Sequence, residues 1–493
     1  VKEQVDMTTP VMGQQAPKAT KSAGLGLGAL IALTVGSMIG GGIFSLPGDM
    51  AGSAAPGPVM IGWLITGVGM LALALVFQSL ANKRPDVDGG VYGYAREGFG
   101  PFVGFTSAWG YWLSAWIGNV AYLVLLFSTA SVFFPAFEGG NSLPAIIGAS
   151  VLVWLVHFLV LRGVREAAGV NTIVTIAKVV PIVLFVVVAA TAFKAGVFTA
   201  DFWGAMVKID DAGLGSSMDQ IKNMMMLTVW VFIGIEGAAV FSSRARNRSD
   251  VGKATVLSFV GVLALLMLVN LLSFGVMAQA KLAGLEAPSM GHVLADIVGP
   301  WGLKFVALGL IVSLLGALLS WTLLCAEILD VPSREGVLPA FLSRQNAHGA
   351  PSGALWMTNL CIQLLLVYTY FDDSKYLGLV YLATSLILLP YLWSALFHLK
   401  ETFKTGQSPQ LVDILVGVFA TVYALWLVYA GGLIYLLVTG LAYLIGLPLY
   451  LKARAEKGQP MLTKADMFMV GLLVVLAIGA IVKFQSGALS LNG

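Results

Sequence analysis

Long apolar stretches, each about as long as a membrane-crossing helix, follow one another from residue 25 to residue 485, with polar residues gathered in the short gaps between them. A helix needs about 20 apolar residues to cross a bilayer. By that criterion the pattern predicts spans at 25–46, 57–80, 99–133, 143–162, 170–193, 221–243, 254–279, 300–329, 352–371, 376–399, 409–428, 431–451 and 464–485. The third is long enough to tilt or to extend past the bilayer. The last decides whether the total is 12 or 13. The expected class is an all-α polytopic membrane protein.

Composition agrees with the pattern. The 493 residues are 58% hydrophobic and 11% charged, whereas about a quarter of a soluble domain is charged. A net charge of +3, spread over short loops, gives no footing for a nucleic-acid partner. Of the 28 lysines and arginines, 20 fall on the side that holds the N-terminus, 7 on the other, and Lys178 lies within a span. Basic residues accumulate on the cytoplasmic side, so the N-terminus is expected inside. Residues 1–23 are polar, carry Pro10 and Pro17, and lack an apolar core with a small-residue cleavage site. They are expected to form a mobile cytoplasmic tail rather than a cleaved signal peptide.

Enzyme signatures do not occur. There is no Walker A sequence, no His-Glu-x-x-His and no Gly-x-Ser-x-Gly. Gly24-x-Gly26-x-x-Ala29 imitates a dinucleotide fingerprint, but no strand precedes it. Cys325 and Cys361 lie in apolar spans and are expected as buried free thiols. His157 and His398, near span ends, have no companion at a metal-ligand spacing. No cofactor and no metal are called for. A gradient or an exchange must drive any transport.

The first span carries an anomaly. Val35 to Phe44 reads Val-Gly-Ser-Met-Ile-Gly-Gly-Gly-Ile-Phe, with Gly36, Gly40, Gly41 and Gly42. Each glycine weakens a helix by roughly 1 kcal/mol relative to alanine. Two readings stand side by side. One is close helix packing through the Gly36-x-x-x-Gly40 pair. The other is an unwound segment lining a cavity, whose free amides bind an anion such as a carboxylate.

Ionisable residues inside spans are expensive and are functional candidates by default. Lys178 sits midway along the fifth span, and Glu236 sits in the sixth between Gly234 and Gly237. Their structural readings are an ammonium that pairs with backbone carbonyls and a carboxyl bonded to a neighbouring helix. Glu327, followed by Asp330 near the inner end of the eighth span, reads as interfacial. Asn119 reads as helix-to-helix glue, and Trp230 and Trp321 as packing or anchors. Spans 1 and 6 are the glycine-broken ones, five spans apart. Such a pair points to an inverted-repeat transporter with its site at mid-membrane, although no residue-level repeat stands out.

Several stretches resemble the amino acid–polyamine–organocation superfamily. They are residues 36–44, Asp-Gly-Gly-Val-Tyr-Gly-Tyr-Ala at 88–95, Tyr-Trp-Leu-Ser-Ala-Trp-Ile-Gly-Asn at 111–119, Trp-Val-Phe-Ile-Gly-Ile-Glu at 230–236, and Ser-Trp-Thr-Leu-Leu-Cys-Ala-Glu at 320–327, with 336–346 continuing the pattern. Within the superfamily the chain is similar to the basic amino acid/polyamine antiporters, and among those to arginine/ornithine antiporters. The resemblance implies a five-plus-five inverted-repeat core at 24–400 with discontinuous helices 1 and 6, and accessory spans at 401–493.

It also implies roles for particular residues. The substrate carboxylate would meet amides at Gly40, Gly41 and Gly42, and its amino group carbonyls near Met38, Trp230 and Ile233. Related arginine/agmatine antiporters carry a serine at the position of Gly41, so a hydroxyl contact is missing here. Trp321 would pack on the substrate side chain, and Asn119 would hydrogen-bond to it. Trp230 would be an aromatic gate, and Tyr111, Glu236 and Tyr391 a second gating cluster. Lys178 would stand where sodium binds in sodium-coupled cousins. The expected activity is exchange of cationic amino acids, arginine against ornithine, in the bacterial inner membrane, by one site of alternating access. A homodimer is compatible with this. The competing readings are a proton-coupled symporter, a lysine/cadaverine or histidine/histamine exchanger and, from other classes, a channel or a receptor. Saturable counterflow separates a carrier from a channel.

Overall fold

The computed structural model describes residues 26–163, 168–209, 211–236, 246, 248–371, 376–404 and 410–486. The expected tail at 1–23, and residues 237–243 of the expected sixth span, lie outside the described residues. The first five expected spans are formed by α1 (Leu27–Met38), α2 (Gly42–Ser53), α3 (Pro56–Lys83), α4 (Val91–Phe99), α5 (Pro101–Ala130), α6 (Leu143–Leu161) and α7 (Ala168–Ala192). After α8 (Ala195–Thr199) come α9 (Ser217–Trp230), α10 (Arg248–Val276), α11 (Gln279–Ala283), α12 (Ser289–Val298), α13 (Trp301–Arg334), α14 (Ser352–Phe371) and α15 (Tyr376–Lys404). The chain continues through α16 (Leu411–Ala430), α17 (Gly432–Glu456) and α18 (Lys464–Gln485).

Among the described residues, eleven helices are long and apolar enough to cross a membrane, and α1 with α2 makes a twelfth, bent by 42°. The sixth expected span begins as α9. A capping box starts it: the Ser216 hydroxyl accepts from the Asp219 amide, and the Asp219 carboxylate accepts from the Ser216 amide. α9 ends at Trp230, and the chain continues through turns to Glu236. The thirteenth expected span is formed by α18, a 22-residue helix. It is the least enclosed of the candidate spans.

The third expected span, 99–133, is one continuous helix, α5, and the short helix α4 precedes it. Gly100, with φ +98°, ends α4, and Pro101 opens α5. Glycine alone tolerates that φ, and proline is favoured at a helix start because its missing N–H is not needed there. The same device recurs at Gly299, φ +92°, followed by Pro300, where α12 gives way to α13. A short helix, a left-handed glycine and a proline thus precede a long helix at both places.

α5 is the centre of the molecule. It packs along α13 and α15 and carries α4 across its base. Cys325 on α13 is buried, whereas Cys361 on α14 is only half-buried, and both are free thiols. Glu327 is exposed, while Asp330 is buried and pairs with Arg334 at 2.5 Å. Among the described residues, the strand residues form one antiparallel pairing of Lys208–Ile209 with Ala212–Gly213, in the loop before α9.

Candidate functional site

The first span does come apart. Ile39 leaves the helix at φ −77°, ψ 87°, and α2 restarts behind Gly41, which offers no side-chain cap. The amides of Gly42 and Ile43 therefore stand in the first turn of a helix, where backbone geometry supplies no intrahelical acceptor. At the C-terminal end of α1 the problem is reversed, because carbonyls lose their donors. Lys178 of α7 answers it, donating from Nζ to the Gly36 carbonyl at 2.8 Å and the Ile39 carbonyl at 2.9 Å.

The three glycines of the break are needed for different neighbours. A Cβ on Gly40 would stand 2.6 Å from the Tyr122 hydroxyl, and one on Gly42 3.0 Å from the Trp230 indole. A Cβ on Gly41 would meet Leu125 at 2.7 Å and Leu314 at 2.8 Å. Gly40 and Gly42 thus face aromatic rings, while Gly41 faces packed leucine. A side chain of any size at 41 would have to displace one of them.

The second break lies against the first. Ser37 donates to the Gly234 carbonyl at 3.1 Å. Gly234 takes φ +106°, and a Cβ there would sit 2.8 Å from the Ser37 carbonyl oxygen. Glu236 is buried and accepts three hydrogen bonds: from Tyr111 at 2.6 Å, from Tyr391 at 3.0 Å and from the Gly234 amide at 3.2 Å. Three elements that are far apart in sequence, α5, the second break and α15, meet at this one carboxyl group.

Between the breaks lies a small cavity of about 10 Å³, room for about one water, lined by Met38, Ile39, Gly40, Gly42, Ile43, Tyr122, Trp230, Val231, Val262 and Leu266. Ligand pockets generally begin near ~300 Å³, so the walls must move apart to admit an amino acid. Trp230 forms the wall on one side. Its ring centroid is 5.6 Å from that of Tyr122, and its Nε1 donates to the Tyr376 hydroxyl at 3.2 Å.

Of the residues singled out in the sequence, Met38, Gly40, Gly42 and Trp230 line this cavity. Tyr111, Glu236 and Tyr391 form one hydrogen-bonded cluster beside the second break. Gly41, Ile233, Asn119 and Trp321 are not among the lining residues. Asn119 is fully buried, and neither its Nδ2 nor its Oδ1 has a hydrogen-bond partner among the described residues. Its neighbour Gly118 abuts the Trp230 ring: a Cβ there would come within 3.2 Å of it. Trp321 is buried on α13 and is not in the lining set. Tyr122 was missed. It lies 11 residues, about three turns, beyond Tyr111 on one face of α5, so a repeated tyrosine at helical spacing was the available signal.

The chain matches the amino acid permease family over residues 25–485. An arginine/ornithine antiporter of Pseudomonas aeruginosa is 53% identical to it over 95% of this chain and 98% of that protein. An arginine/agmatine antiporter of Chlamydia caviae is 41% identical over 94% and 97%. An L-lysine transport protein of Corynebacterium glutamicum is 41% identical over 97% and 98%.

Proposed function

The chain belongs to the amino acid permease family, within the amino acid–polyamine–organocation superfamily, and from that premise we propose that it exchanges cationic amino acids across the bacterial inner membrane, arginine entering as ornithine leaves. The observation that carries this reading is the contact between two interrupted helices around one small cavity. Uncapped amides at one helix start and freed carbonyls at two helix ends suit the carboxylate and ammonium that every amino acid carries.

In this reading the α-carboxylate lies against the amides at Gly41, Gly42 and Ile43. The α-ammonium lies against carbonyls at Met38, Trp230 and Ile233. Asn119, with both amide atoms unpaired, turns to the bound substrate, and Trp321 approaches the side chain when the cavity widens. Trp230 and Tyr122 close the site on the side toward α2. Tyr111, Glu236 and Tyr391 close it on the other. The Lys178 ammonium already occupies the carbonyls that a sodium ion would need, so exchange proceeds without sodium. The two glycine–proline junctions support an inverted repeat of five plus five helices, the N-terminus facing the cytoplasm.

The test is uptake of labelled arginine by proteoliposomes, with and without internal ornithine. Counterflow that depends on internal ornithine is expected. Uptake indifferent to internal substrate, or driven by a proton gradient into empty vesicles, would overturn the exchange reading.

A further inference from the structure

One carboxylate inside a span has no part in the site described so far. Asp49 lies on α2, seven residues beyond Gly42. Seven residues are two turns, so Asp49 stands on the same face as Gly42, about 10 Å further along the helix. Gly42 faces the Trp230 indole from the cavity. Asp49 is therefore on the far side of the wall that Trp230 makes.

Its surroundings are specific. The Trp230 indole donates to Tyr376, and Asp49 is within electrostatic reach of the Tyr376 and Tyr381 hydroxyls. Asp49 is half-buried. Among the described residues its carboxylate has no hydrogen-bond or ion-pair partner; only its backbone carbonyl is engaged, by the Ser53 hydroxyl at 3.0 Å. Among the described residues, Lys222 pairs with Asp219 and Lys281 with Asp296, each at 2.8 Å.

An unpaired carboxylate withdrawn from water is costly unless a cation meets it. A guanidinium or ammonium group would do so through charge-assisted hydrogen bonds, and tyrosine faces attract the same groups. We propose that Asp49, Tyr376 and Tyr381 form a second subsite, which takes the side-chain cation of an arriving amino acid before Trp230 yields. The proposal rests on the reading that the cargo is cationic. It adds a residue that selects cationic from neutral amino acids at the entrance, separate from the backbone groups that hold the common head group.

The experiment is arginine/ornithine exchange by the full-length protein in proteoliposomes, comparing wild type with Asp49→Asn. KM for arginine should rise about tenfold, as expected for loss of a charge-assisted bond, with kcat nearly unchanged. Inhibition by citrulline, which has a neutral ureido group in place of the guanidinium, should stay the same. Asp49→Glu should recover most of the loss. If Asp49→Asn does not elute as a folded species, Asp49→Ser serves in its place. An unchanged arginine KM, or equal changes for arginine and citrulline, would overturn the proposal. Wild-type counterflow in the same vesicles separates the two claims: its absence defeats the exchange reading and this proposal together, whereas its presence with an unaltered variant defeats this proposal alone.

Discussion

At the first break the stabilising charge comes from elsewhere. Lys178 reaches across from α7 and binds the carbonyls of Gly36 and Ile39. At the second, the charge belongs to the interrupted segment: Glu236 accepts the Gly234 amide and draws in tyrosines from α5 and α15. Carbonyls freed at the end of α1 require a donor, and a freed amide at Gly234 requires an acceptor, so the opposite signs follow from backbone polarity. The origin of the charge has a further consequence. α1 can change its relation to α7 only by breaking two bonds to an ammonium. The second break carries its carboxylate with it and changes only its tyrosine partners. Reorientation of the core should therefore be more sensitive to Lys178 than to Glu236.

The largest effect is expected for Lys178→Met. It leaves one buried and one part-buried carbonyl without their donor, at up to about 1–3 kcal/mol each, and exchange should fall about 100-fold or more. The rate of labelled arginine counterflow, normalised to reconstituted protein, measures it. Glu236→Gln keeps the shape and part of the hydrogen bonding, so kcat should fall about tenfold while KM barely moves, because Glu236 does not line the cavity. If Glu236→Gln proves the more damaging, the ranking of the two breaks is reversed. The smallest effect is expected for Trp321→Leu, which does not line the closed cavity and meets the substrate side chain only once the cavity widens. Its arginine KM should rise, though less than that of Trp230→Leu, and an unchanged KM would remove Trp321 from contact with the substrate.

The spans were legible because apolar run length is a strong signal in membranes, and the first break was legible as a cluster of glycines. The junction at Gly100 between α4 and α5 was not, since Phe99, Phe102 and Val103 continue the apolar run across it. It recurs at Gly299, before α13. The cluster of Tyr111, Glu236 and Tyr391 came from family resemblance, as did Trp321. For the first the structure supplies the hydrogen bonds; the second it leaves outside the cavity wall. Tyr122 and Tyr376 escaped notice because tyrosine in a span is unremarkable until its neighbours are known. Asp49 escaped because the first span was expected to end at 46, whereas α2 continues to Ser53.

The central claim is that the two breaks together hold the head group of one amino acid. A cryo-EM map of the protein with arginine bound tests it most directly. The account predicts the α-carboxylate against the first amides of α2 and the α-ammonium against carbonyls at the ends of α1 and α9. Continuous helices at both places, or arginine bound away from them, would contradict it.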